Sequence, residues 1–184
     1  MGDPKKKHKR YTTPKRPYDQ DALMEELRLL GGYGLRNKRE LWRHRTELSH
    51  IRRMAREKLS MDPIERAEGE REMIRKLQAR GLVDERATLE DVLTLTIENM
   101  MGRRLQTVVH RRGMAKSLFQ ARQLITHGHI SVGGRKVRAP SYIVTREDEA
   151  QLEYAGSSPL VVKDHPLRKE LTVSEMMGGE KVGQ

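Results

Sequence analysis

The chain has 184 residues, room for one ordinary domain or two small ones, and carries a net charge of +11 with a pI near 10.1. That balance selects nucleic acid or an acidic membrane as partner, yet no apolar run approaches the roughly 18 residues needed to cross a bilayer. The absence of cysteine excludes disulfides, thiolate metal sites and cysteine nucleophiles and suits a reducing cytoplasm, while 35% hydrophobic and 4% aromatic residues allow only a small aliphatic core.

Residues 1–18 hold Lys5, Lys6, Lys7, Lys9, Arg10, Lys15 and Arg16 against Asp3 alone, and Pro4, Pro14 and Pro17 interrupt any helix. They read as an extended basic arm without a core of its own, mobile until RNA orders it. No apolar stretch follows the basic start, so it is not a secretory signal, and Lys6 stands where a myristoylation signal needs Ser or Thr. No membrane partner is expected.

Helical periodicity begins near Asp21, with Leu23, Leu27 and Leu30 on one side, and Gly31-Gly32 predicts a left-handed ending. A second helix is predicted over 38–59, capped by Asn37. Leu41, Leu48, Ile51, Ala55 and Leu59 form one apolar stripe, and Arg36, Arg39, Arg43, Arg45, Arg52, Arg53, Arg56 and Lys58 crowd the rest. The third helix should start with Asp62 as cap, Pro63 in its first turn and Glu65 completing a box-like pair, and close at Gly81 after Arg80. Its charges are mixed, so its exposed face is merely solvated. Thr88 starts a short helix to Leu95, and Thr96 caps another running to about Arg112. Ser117 and Gln120 form a capping box for a helix that ends at Gly128. Residues 129–132, Gly133-Gly134 and residues 135–137 read as a hairpin with a primed turn. Residues 142–144 and 151–154 are further short strands. Beyond His165-Pro166 the chain turns acidic and glycine-containing, and residues 167–184 are expected to be a flexible tail.

From Asn99 to Arg146 there is no aspartate or glutamate, yet Arg103, Arg104, Arg111, Arg112, Lys116, Arg122, Arg135, Lys136, Arg138 and Arg146 fall in helical and hairpin positions. Same-sign charge repels a folded surface, so a unit that has dropped every acid is shaped for a polyanion. Leu105, Val108 and Val109 give one helix its apolar face, and Leu118, Ala121, Leu124 and Ile125 the next. With those faces buried together, Arg111, Arg112, Lys116 and Arg122 are left for solvent or RNA. The loop 113–117 should offer unpaired backbone N–H groups at a helix N-terminus, a phosphate seat. Gly128 then reverses the chain and brings Arg135 and Lys136 beside it.

The run RRLQTVVHRRGMAKSLFQARQLITHGHISVGGRKVRAPSYIV closely resembles the RNA-binding module named after ribosomal protein S-four. Upstream, KRYTTPKRPYD (9–19) and GGYGLRNKRELW (31–42) resemble the archaeal and eukaryotic branch of that ribosomal family, and the short acidic C-terminus resembles its archaeal form. The resemblance spans about residues 5–166. It implies an α+β fold: a basic arm over 1–18, a helical rRNA-binding domain over 19–102, and a module of two helices packed on a short antiparallel sheet over 103–166. It further implies a primary rRNA-binding constituent of the cytoplasmic small ribosomal subunit that nucleates assembly of the subunit body. Its place would be near the channel by which mRNA enters, beside ribosomal proteins S-three and S-five, with a role in translational accuracy. A free-standing RNA chaperone, or an accessory to rRNA modification, would use the same module. The zinc site of some bacterial members has no counterpart without cysteine.

Charge, position and resemblance together give the expected RNA-contacting set. It comprises the arm cations above; Arg36, Asn37, Lys38, Arg39, Arg43, Arg45, Arg52, Arg53 and Arg56; and Arg103, Arg104, Arg111, Arg112, Lys116, Ser117, Arg122, His127, His129, Arg135, Lys136 and Arg138. His127 and His129 have no carboxylate or third ligand near in sequence, so they bracket a turn instead of forming a metal site. Trp42, alone beside an apolar stripe, reads as packed and not stacked on a base. No phosphate loop, dinucleotide fingerprint, nucleophile set or metal set is present, so neither enzymatic activity nor a cofactor is expected.

Overall fold

The computed structural model describes residues 8–84, 86–162 and 164–168. Lys5, Lys6 and Lys7 lie outside the described residues, as does the tail from residue 169 onward.

Helix α1 spans Gln20–Gly32. It runs through Gly31-Gly32, and the left-handed residue is Gly34, at φ 57°, which corrects the expected ending. The cause is tertiary: a Cβ on Gly34 would lie 2.9 Å from the Leu118 Cβ, so the chain turns where it must meet a later helix. The buried face also differs from the expected leucine row. Leu29 and Glu26 are inside, whereas Leu27 is exposed.

Helix α2, Lys38–Leu59, forms as its sequence dictates: Asn37 accepts a hydrogen bond from the Glu40 amide at 3.2 Å, and Leu41, Leu48, Ile51 and Ala55 are buried. Helix α3 is Pro63–Ala79, but Asp62 makes no side-chain cap. Helices α4 (Leu89–Thr94) and α5 (Ile97–Gly102) follow, and the predicted long helix to Arg112 is broken: α6 starts anew at Leu105 and ends at Arg111. At the break, the Leu105 amide bonds the Tyr142 carbonyl at 2.8 Å, and Arg104 bridges Ile143. That single bridge replaces the strand expected over 142–144.

Helix α7 is Leu118–Thr126, followed by β1 (Ile130–Val132), β2 (Arg135–Lys136), α8 (Arg146–Ala150) and β3 (Leu152–Tyr154). The sheet order is β2-β1-β3, antiparallel throughout, with Ser131 facing Lys136 and Glu153. The sequence reading missed α8, whose Thr145–Asp148 capping box stands in an acidic stretch. Residues 167–168 are held, not loose: the Arg168 guanidinium lies 5.1 Å over the Tyr154 ring.

Among the described residues three apolar clusters result. One joins α6, α7, β1 and β3 around Leu105, Val109, Ile125 and Ile130. A second joins α2, α3, α4 and α5 around Ile51, Ala55, Leu89 and Val92. The third ties α1 to α2 and α5 through Leu29, Leu41 and Met101.

Gly128 has φ 78°, and a Cβ there would meet the Arg138 Nε at 3.1 Å. Gly128→Val is therefore expected to cost about 2 kcal/mol or more, from left-handed backbone strain and displacement of Arg138. Urea unfolding checks this; a midpoint equal to the parent's would refute it.

Candidate nucleic-acid interface

Residues 11–16 of the arm lie against α2. The Thr12 amide donates to Thr46 Oγ1 at 3.0 Å, and the Tyr11 ring sits 5.9 Å from Trp42. Tyr11 thus rests against a ring on α2. Trp42 is packed as expected, its Nε1 donating to Glu26 Oε1 at 2.9 Å. Between arm and helix runs a groove of about 630 Å³ whose lining includes Lys15, Arg16, Arg45, Arg53 and a single acid, Asp19. Such a groove offers cations to a phosphate chain from both walls. Removing residues 1–18 is expected to flatten the slope of log affinity for small-subunit rRNA against log salt by roughly three units if about four cations touch phosphate. An unchanged slope would defeat this.

The other expected cations divide sharply. Arg36, Arg39, Arg43, Arg56, Arg111, Arg112, Lys116, Arg135, Lys136 and Arg138 are exposed, as are Lys9 and Arg10. Gln106, wholly buried, brings two of these groups together: its Nε2 donates to the carbonyls of Gly34 and Leu118, each at 3.0 Å. The turn that precedes α2 is thereby tied to the start of α7. The Lys116–Ser117 corner is a narrower seat than its sequence promised, since the Lys116 amide donates to Gln120 Oε1 at 2.6 Å and the Gln120 amide to Ser117 Oγ at 3.2 Å. Asn37 and Ser117 thus act as helix caps. Lys38 pairs with Glu26 at 3.2 Å, and the half-buried Arg52 donates to the Leu95 carbonyl.

Arg103, Arg104 and Arg122 make their contacts within the fold, Arg104 wholly buried and the other two partly exposed. Arg103 donates to the Val144 carbonyl at 2.9 Å and pairs with Glu149 at 2.6 Å. Arg104 is fully buried: NH2 reaches Glu40 Oε2 at 2.6 Å, and NH1 donates to His44 Nε2 at 2.7 Å. Arg122 takes the other oxygen of Glu40, also at 2.6 Å. Burial alone would raise the Glu40 carboxyl, but hydrogen bonds and charge from Arg122 and Arg104 outweigh it and hold its pKa below the usual range. The sequence reading missed Glu40, His44 and Gln106. A lone acid inside RNKRELWRHR was the available signal for Glu40.

Burial first, then the Arg104 charge, lowers the His44 pKa from 6.5 to about 4. Since Nε2 accepts from Arg104, the neutral ring carries its proton on Nδ1, where Glu47 stands 3.8 Å away. Between those two pH values the unfolded chain binds a proton that the folded chain refuses. Stability is therefore full above about pH 6.5 and falls toward pH 4, by up to roughly 3 kcal/mol. His44→Gln keeps an acceptor for Arg104 and should abolish that slope in urea titrations across pH; an unaltered slope would refute the assignment.

His127 is exposed, and His129 donates to or accepts from Ser158 Oγ through Nδ1 at 2.9 Å. No helix among the described residues is long and apolar enough to cross a membrane.

A basic surface carried on two small helices and a glycine-turned hairpin defines an RNA-binding module, and the S4 domain family matches this chain over residues 103–149. Whole-chain similarity is greater still. The chain is 48% identical over 163 residues to the small ribosomal subunit protein uS4 of Ignicoccus hospitalis, covering 89% of this chain and 98% of that one. It is 44% identical over 188 residues to uS4 of Thermoplasma acidophilum, covering 100% and 94%, and 48% identical over 176 residues to uS4 of Methanospirillum hungatei, covering 93% and 97%. The chain belongs to the small ribosomal subunit protein uS4 family, in its archaeal form. It is accordingly not an enzyme.

Proposed function

We propose that this chain is a structural constituent of the small ribosomal subunit in the cytoplasm and holds small-subunit rRNA through its exposed cations. The carrying observation is the separation of roles among its arginines: those of the arm, those of α2 other than Arg52, and those of the module rim face outward, while Arg103, Arg104 and Arg122 lock the scaffold that spaces them. The mechanism is neutralisation of converging phosphates, so that RNA helices which repel one another pack on a rigid protein. Recognition is then of shape, with strong salt dependence.

In this reading residues 19–102 and 103–166 act as two units, supported by their separate apolar clusters. The protein binds early and nucleates assembly of the subunit body. It lies near the channel by which mRNA enters, beside ribosomal proteins S-three and S-five, and so bears on translational accuracy. Sedimentation of a cell extract with mass spectrometry of each fraction tests the core of this. One copy per small subunit is expected; recovery only on free RNA or large subunits would overturn it.

A further inference from the structure

Arg10 of the arm, Arg43 and His44 of α2, Arg104, and Ser141 of the segment before α8 line one pocket of about 400 Å³. Parts of the chain far apart in sequence therefore share a single concavity. Two of these residues carry a buried polar atom without a hydrogen-bond partner, His44 Nδ1 and Arg104 Nε. Both atoms are donors. A guanidinium nitrogen cannot accept, and the neutral His44 ring, whose Nε2 accepts from Arg104, carries its proton on Nδ1. Glu47 Oε2, at 3.8 Å from Nδ1, is too far to accept from it. Buried donors left unanswered are costly, so what this pocket lacks is an acceptor.

Charge decides which acceptor fits. Glu40 and Glu47 are the carboxylates of the lining, and both are taken: Glu40 by Arg104 and Arg122, Glu47 by Arg80 at 3.1 Å. Arg10 and Arg43 are exposed, and neither pairs with a carboxylate among the described residues. A water molecule would answer the orphaned donors and leave both of those charges unmatched. An oxyanion answers both needs, and its hydrogen bonds to charged donors are the stronger ones. The donors come from separate walls, with the exposed Ser141 adding a hydroxyl from the module side. A carboxylate presents two oxygens in one plane, whereas the oxygens of a phosphate point several ways and suit such a set.

We infer that this pocket seats one phosphate group, held by Arg10 and Arg43 from its exposed side and by His44 and Arg104 from its buried side. On the function proposed above, on which this part rests, the phosphate belongs to the rRNA backbone. One nucleotide then ties the arm, α2 and the module together.

The test uses the full chain, first with inorganic phosphate and then with small-subunit rRNA. At an ionic strength held constant with chloride, inorganic phosphate should shift the Ser141 amide and His44 ring resonances to saturation. Arg10→Gln combined with Arg43→Gln should abolish those shifts; both positions are exposed, and an otherwise parental amide spectrum verifies the fold. Absence of saturable shifts in the parent, the result for a pocket that holds only water, would overturn the inference, as would equal shifts in the double variant. With rRNA, two arginines on one phosphate should lower the slope of log affinity against log salt by about one unit in the double variant, where separate phosphates would give about two. A loss of two units would overturn the shared seat. An unchanged slope beside intact phosphate shifts in the parent would uphold the seat and assign it to a free anion. Failure of the parent to bind rRNA while those shifts persist would count against the function proposed above and not against the seat.

Discussion

Replacing Glu40 with alanine is expected to destabilise the chain by about 3–5 kcal/mol, the largest loss for any single side chain in the scaffold. One carboxylate serves both Arg104 and Arg122, each at 2.6 Å, and Arg104 has no exposed surface through which water could replace it. Truncating Glu40 leaves that guanidinium buried with only the neutral His44 before it. Arg122→Ala should cost less, since Arg122 keeps some solvent contact. Urea unfolding followed by circular dichroism measures both, and a loss under about 1 kcal/mol for Glu40→Ala would show that the pair contributes little. Acidity gives a second check. The Glu40 pKa is lowered on folding, so its contribution is complete above its ordinary value of 4.5 and is lost as pH falls through the folded value. Parent and variant should therefore converge in stability below that range.

Reversing Arg111, Arg112, Arg135 and Lys136 to glutamate is expected to abolish rRNA binding at physiological salt while leaving the fold intact. All four are exposed and none belongs to an apolar cluster. If each touches a phosphate, the salt slope falls by about three units, and the new acids repel the same phosphates. Filter binding across a salt series reads the slope, and the urea midpoint reports the fold. Retained affinity would move the RNA surface elsewhere. An unfolded variant would show that these residues support the core after all. Arg103, Arg104 and Arg122 should behave in the opposite way, losing stability first and binding only in consequence.

The sequence by itself determined what local rules govern. Asn37 caps α2 because an amide oxygen three residues before Glu40 reaches its backbone N–H, and the apolar stripe of that helix follows from spacing alone. Gly133 and Gly134, at φ 55° and 75°, make the hairpin with the primed turn that twisted strands favour. The acid-free stretch and net charge carried the polyanion reading without any coordinates.

What only the tertiary structure decided was which arginines face inward. Arg104 and Arg122 look like Arg111 and Arg112 in composition and in helical context. Their distinguishing partner, Glu40, stands 64 and 82 residues away in sequence. Other long-range contacts broke the expected helix at Arg103-Arg104, where backbone bonds to residues 142–144 outweighed continuation, and moved the turn of α1 to Gly34, where α7 touches it. Local propensities set each element's period and ends, but a charged side chain is inert to period. Its role is fixed by the burial and the counter-charge that folding brings to it.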